Sequence, residues 1–211
     1  MGVDGDGARL AAVSAGDAAG RLFRVYERHC RTPGLDTLFE LLNAMHSLND
    51  RLKATTQRDL HAVQEFVALK ALRNFAHHRE EVRANVRVIP APAISDLGSL
   101  CIVRRDQVER AIESTPERWQ ADTRAACETR FHWYGQAVNI NPCIFNFMVR
   151  AYEMLVELGV QTSQDAVGSF QASYRREEEE GHSHYVSGLL TTNVAEISAT
   201  LSAVAAELPS V

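Results

Sequence analysis

An all-α fold is what this sequence predicts, and three observations predict it. Apolar residues step by three and four along most of the chain, as in Leu38, Leu41, Leu42, Met45, Leu48 and Leu52. Helix-breaking clusters such as Thr32-Pro33-Gly34 fall at the ends of these runs, not inside them. The chain shows no internal repeat and no alternation of short apolar strands with helices, so a parallel α/β sheet is not expected. At 211 residues, 45% of them apolar, it suits one domain with a sizeable core. The expected architecture is a helical bundle built on a long antiparallel helical hairpin, with additional C-terminal helices.

Each element follows in order. Residues 1–15, acidic and rich in Gly and Ala, read as a flexible lead-in, not as a signal peptide, because no basic region precedes an apolar one. Leu22, Phe23, Val25 and Tyr26 suggest a short helix that stops at Pro33. The hairpin spans residues 36–85: one helix from about Asp36 to Lys53, a break at Thr55-Thr56-Gln57, and a second from about Arg58 to Arg83. Residues 86–105 form a Pro/Ala/Gly-rich linker in which Cys101-Ile102-Val103 is a short extended piece. C-terminal helices occupy 106–207: one in RRDQVERAIES, one from Pro116 through Trp133, and a strong one from Pro142 to Leu158. Ile144, Phe145, Met148, Tyr152, Leu155 and Val156 are the stripe of that last helix. Two more are expected near 163–180 and 185–207, and residues 16–211 read as one domain.

Composition narrows the function. A net charge of −5 argues against a generally basic nucleic-acid coat while permitting a local basic patch. Cys30, Cys101, Cys127 and Cys143 lie far apart with no CxxC pair, which fits reduced thiols in the cytoplasm better than a disulfide framework or a zinc site. No apolar run approaches the roughly 20 residues that cross a bilayer.

The stretch LKALRNFAHHREEV, residues 69–82, stands out. On an ideal helical wheel Val67, Ala71, Phe75 and Val82 cluster within about 60° of Leu60 and form a core stripe, with His78 among them. Phe66, Lys70, Arg73 and His77 fall on a neighbouring face, and Asn74 sits at the boundary. A face that mixes Phe66 and Leu69 with Arg73 and His77 suits packing against a second copy of the chain. The plainer reading is a solvated His-Arg run favoured by the helix C-terminal dipole.

The arginine-asparagine pair followed by histidine in a helical hairpin resembles the signature of the HEPN superfamily, all-α proteins many of which are metal-independent ribonucleases in toxin–antitoxin, phage-defence and RNA-processing systems. Arg73 matches the motif arginine, Asn74 the polar residue after it, and His78 the histidine after four intervening residues. On a straight helix His77, not His78, stands one turn beyond Arg73, so His77 stays beside it as a candidate. The resemblance covers residues 36–85. It also implies a polar residue on the earlier helix facing the motif, with Asn49 and Asp50 as candidates. It further implies a homodimer with one composite cleft, and as partners RNA and a cognate antitoxin or defence protein.

The chemistry suits these residue types. RNA carries its own nucleophile, the 2′-hydroxyl beside the scissile phosphate. A histidine titrating near neutrality moves the proton, and an arginine fork clamps the phosphate oxygens. No cofactor and no metal are called for. Lys70, Arg73, Arg79, Arg83 and Arg87 against Glu80 and Glu81 leave a local +3, so Lys70, Arg79 and Arg83 are candidate RNA contacts. The alternative is a non-catalytic module of the same kind that binds a nucleotide or a protein.

Other clusters carry plainer readings. His182 and His184 in EEEEGHSH lie at a helix end and read as solvated, with a metal site as the lesser alternative. Cys127 with His132 reads as packing. Trp119, Phe131, Trp133 and Tyr134 read as core or interface, with base stacking as the alternative. His29, His46 and His61 read as structural or surface residues.

Overall fold

The computed structural model describes residues 3–79, 82, 84–88 and 99–188, with side chains described for 13–79, 82, 84 and 100–188. Seven α-helices make up most of it: α1 Val3–Arg31, α2 Leu35–Thr56, α3 Gln64–His78, α4 Arg105–Glu113, α5 Glu117–Arg130, α6 Asn141–Glu157 and α7 Gln164–Glu180. A 3-10 turn, Leu60–Ala62, separates α2 from α3. The mostly helical fold matches the sequence reading. Four short strands join it: β1 Ala84–Val88, β2 Ser99–Arg104, β3 His132–Tyr134 and β4 Ala137–Asn139.

The strands form an antiparallel sheet in the order β1-β2-β4-β3. Leu100, Cys101, Ile102 and Val103 of β2 are all buried, so the strand is apolar on both faces. A central strand of this kind gives a short apolar run instead of an alternation. β3 and β4 pair Tyr134 with Ala137, leaving Gly135 and Gln136 as a two-residue turn. Gly135 takes φ +57, a conformation that costs glycine little. The Pro116–Trp133 helix of the sequence reading therefore ends at Arg130, and its last residues pass into β3.

Several boundaries differ from expectation. Helix α1 begins at Val3, inside what reads as a flexible lead-in, and runs 29 residues, not one short stretch. It packs against α2 and α7, so its helicity rests on tertiary contact: Ala15, Ala18, Ala19, Leu22 and Phe23 are buried. The hairpin's second helix starts at Gln64, because Gln57 caps α2 in the left-handed region and Asp59 accepts the His61 N–H at the turn that follows. All six apolar residues of the α2 stripe are buried. On α6, Ile144, Met148 and Leu155 are buried as expected, but Val156 is 63% exposed and Phe147 takes the core position. Residues 181–188 leave the helix after Gly181, and the rest of the helix expected at 185–207 lies outside the described residues.

Helix α3 runs through the middle, against α2, α4, α5 and α6. Phe66, Ala68, Leu69, Ala71, Leu72 and Phe75 are all buried. Phe66 meets Phe147 of α6 at 6.2 Å between ring centroids. Its N-terminal end is tied to α5: Gln64 Oε1 accepts from Arg130 at 2.9 and 3.2 Å, and the buried Glu65 carboxylate lies 3.4 Å from the same guanidinium. Pairing is what permits a carboxylate there. The two apolar flanks of α3 are thus filled from within one chain. The expectation that Phe66 and Leu69 face a second copy is corrected: they are 0% and 1% exposed in a single protomer.

Candidate functional site

Two helices supply the polar site. Asn43, His46, Ser47 and Asp50 recur at helical spacing along α2, opposite Lys70, Arg73 and His77 at the same spacing on α3. These residues sit at the rim of the α2–α3 seam, above its buried leucines. Arg73 crosses the seam. Its Nε donates to Asn43 Oδ1 at 3.1 Å and its Nη1 to Asn74 Oδ1 at 3.2 Å. Two bonds orient a planar fork and leave its other N–H donors for a ligand.

Arg73 lines two neighbouring clefts. One, about 260 Å³, is closed by Asn43, His46, Ser47, Asp50 and Arg51; the other, about 200 Å³, by Phe39, Leu42, Asn43, Ala76 and His77. The arginine is the ridge between them. His46 lies 3.2 Å from Asp50 through Nδ1. Burial holds its pKa below the ordinary histidine value, the Arg73 charge pushes the same way, and Asp50 opposes both. His46 is therefore biased toward its neutral form, a proton acceptor, beside a fixed cation.

A second branch extends from Lys70. Its Nζ lies 2.7 Å from His61 Nε2, and His61 Nδ1 lies 3.2 Å from Asp59 Oδ2. An ammonium only donates, so Nε2 accepts and the ring proton sits on Nδ1, facing the carboxylate. Burial lowers the Lys70 pKa, against the opposing pull of Asp50 and Asp59. Lys70 also lies 5.9 Å from the centroid of the Phe66 ring.

The histidine pair ends α3. His77 and His78 are both exposed, their rings in edge-to-face contact at 4.7 Å, and Arg79 closes the helix by donating its N–H to Phe75 O. The wheel position that puts His78 on the core stripe is corrected: His78 is the last residue of α3, and its side chain is exposed. Because α3 stays helical through the motif, His77 shares a cleft with Arg73 and His78 is not among its lining residues. Asn74 acts through Arg73, whose orientation it fixes.

The two candidates on α2 separate. Asp50 is exposed at the cleft. Asn49 is buried, and its Oδ1 accepts the Leu60 N–H at 2.9 Å, so it holds the interhelical turn and is corrected from ligand contact to structural residue. Arg79 is exposed at the helix end, and Arg83 lies outside the described residues. Asn43, His46 and His61 are site residues that the sequence reading passes over. Their signal is the polar stripe Asn43–His46–Asp50 at helical spacing beside the leucine stripe of α2, and the local Asp-x-His pair at 59–61.

The remaining clusters resolve simply. Cys127 is buried, its thiol pushed up by burial to about 12, and Trp133 Nε1 donates to its carbonyl, which is packing chemistry. Phe131 is buried, while Trp119 is 53% exposed. His182 lies 3.3 Å from Glu180 and His184 3.0 Å from Glu177. Among the described residues no group of three or more His, Cys, Asp or Glu is arranged to hold a metal ion, and no helix is long and apolar enough to cross a membrane. No protein-family model, characterised protein or solved structure matches the chain.

Proposed function

We propose that the chain is a metal-independent endoribonuclease of the HEPN kind, with Arg73 as phosphate clamp and the histidine pair at the end of α3 as proton-transfer group. The observation that supports it most is Arg73 itself, a cation oriented by Asn43 and Asn74 at the ridge of two open clefts. A fork held in advance meets a phosphate with little loss of side-chain freedom, and it stabilises charge as that charge builds on the phosphorane oxygens. A histidine takes the 2′-hydroxyl proton and returns one to the leaving 5′-oxygen. The resemblance ranks His78 first. Lining of the Arg73 cleft favours His77. Lys70 and Arg79 extend the positive surface along the same helix, and two copies meeting at this face compose one cleft.

The test is RNA cleavage by the purified chain with and without EDTA, on wild type, Arg73→Ala, His77→Ala and His78→Ala. Cleavage that survives EDTA and falls roughly 10²-fold or more in Arg73→Ala and in one histidine variant, with unchanged melting, supports the reading. Cleavage that requires an added divalent ion overturns the metal-independent mechanism. RNA that binds in an Arg73-dependent way but is never cut leaves the non-catalytic binding module in its place.

A further inference from the structure

Helices α1, α6 and α7 line a third open space, of about 260 Å³. Five rings line it, Phe23, Tyr26, Phe145, Phe170 and Tyr174, among smaller apolar and hydroxyl side chains. Phe170 meets two of them, 5.1 Å from Phe23 and 6.2 Å from Tyr26 by ring centroid. Tyr152 backs the wall, 5.5 Å from Phe170 and 4.9 Å from Tyr174. Two carboxylates, Glu27 and Glu177, line the same space, and among the described residues no Lys, Arg or His does.

Both carboxylates are anchored by neighbouring side chains. Glu27 Oε1 accepts from Arg31 at 2.7 Å and from the Ser169 hydroxyl at 3.4 Å. Glu177 Oε2 accepts from His184 Nδ1 at 3.0 Å, and the His184 ring lies flat on Tyr174 with centroids 3.6 Å apart. The carboxylates are thus fixed beside the rings. Tyr26 feels the result: burial first, then Cys30 beside it and the charge of Glu177, hold its phenol protonated well above the ordinary range.

We propose that this cavity binds a small organic cation of the quaternary ammonium class. Aromatic faces carry the negative part of the ring quadrupole and attract a cation set against them. An anion meets two carboxylates, and a neutral apolar molecule makes no use of them. Ring faces bind charge without hydrogen bonds, and one oxygen of each carboxylate already accepts, from Arg31 and Ser169 at Glu27 and from His184 at Glu177, so a cation lacking N–H donors loses little here. The volume lies below the roughly 300–1,000 Å³ of drug-sized pockets, which limits the occupant to a small headgroup.

The experiment titrates the full chain by calorimetry with choline and with 3,3-dimethylbutan-1-ol, the neutral molecule of nearly the same shape. Choline is expected to bind at least about fivefold more tightly than the alcohol, since a desolvated cation–π contact is worth roughly that factor or more. Phe170→Leu keeps apolar bulk and removes a ring face; Glu177→Gln keeps shape and removes a charge. Each is expected to weaken choline by about 3- to 30-fold. Glu177→Gln is expected to leave the alcohol unchanged. Equal affinity for the two molecules overturns the proposal, as does no choline heat up to about 10 mM. Choline binding that is unchanged in both variants places the site elsewhere and overturns it too. Thermal melts run alongside, and if Phe170→Leu does not fold, Glu177→Gln decides.

Discussion

The Arg73 clefts and the aromatic cavity are open spaces of similar size on one chain of net charge −5, built in opposite ways. At the first, polar side chains hold one another in place: Asn43 and Asn74 fix Arg73, Asp50 pairs with His46, and Asp59 with His61. At the second, rings hold one another and the carboxylates stand at the edge. The net charge conceals this division. Each region holds two acids, but those of the first lie among Lys70, Arg73 and two histidines, while Glu27 and Glu177 line a space with no Lys, Arg or His among its described lining residues. The contrast teaches that local arrangement, not overall charge, decides which ligand each concavity suits.

The comparison breaks or sharpens in several measurable ways, the largest first. Phe66→Ala removes a fully buried ring from beneath Lys70 and is expected to destabilise the fold by about 3–5 kcal/mol in urea denaturation. A dimer that falls apart at unchanged protomer stability would instead return Phe66 to an interface. Arg73→Ala is expected to lower RNA cleavage by roughly 10²-fold, about 2.7 kcal/mol of barrier, while Phe170→Leu leaves it unchanged. If Phe170→Leu lowers cleavage as much, the two regions are one functional unit and the contrast collapses.

Asn49→Ala orphans the Leu60 N–H and is expected to cost about 1–3 kcal/mol, read as a lower melting temperature. Because the turn it holds carries His61, the same variant should loosen the Lys70 branch and spare the aromatic cavity. Loss of choline binding in Asn49→Ala would count against the separation.

The smallest effects are electrostatic. Removing the Arg73 charge is expected to raise the His46 pKa, since that charge disfavours the imidazolium; an NMR titration of the ring protons of Arg73→Ala checks it. His46 and buried His29 both have folded values below the unfolded one of about 6.5. Their unfolded forms bind the proton first, so the stability they carry is complete above about pH 6.5 and declines as pH falls below it. His29, buried against Thr37 Oγ1 at 2.9 Å, should dominate. His29→Gln is expected to flatten the loss of urea midpoint between about pH 7 and 5, and an unchanged slope would assign it to other groups.

Sequence alone determined the helices with strong periodicity. The stripe of α2 is buried residue for residue, and α6 and α7 begin within a residue of where their patterns start, because a 3.6-residue period encodes which face is covered before anything covers it. It also put Arg73, Asn74, His77 and Lys70 on one stretch of chain, since i, i+3 and i+4 neighbours are fixed by the helix itself. Tertiary structure decided the rest. Whether Phe66 lies in a core or at an interface depends on α6 reaching it, and a wheel drawn for one helix has no information about its neighbours. The sheet was decided by β2 finding partners on both sides, which a four-residue apolar run does not announce. Asn43, His46 and His61 became site residues only when α2, α3 and the turn between them closed around Arg73 and Lys70. The aromatic cavity joins residues more than a hundred positions apart, and contacts between such distant residues follow from how the helices pack, not from the pattern along any one of them.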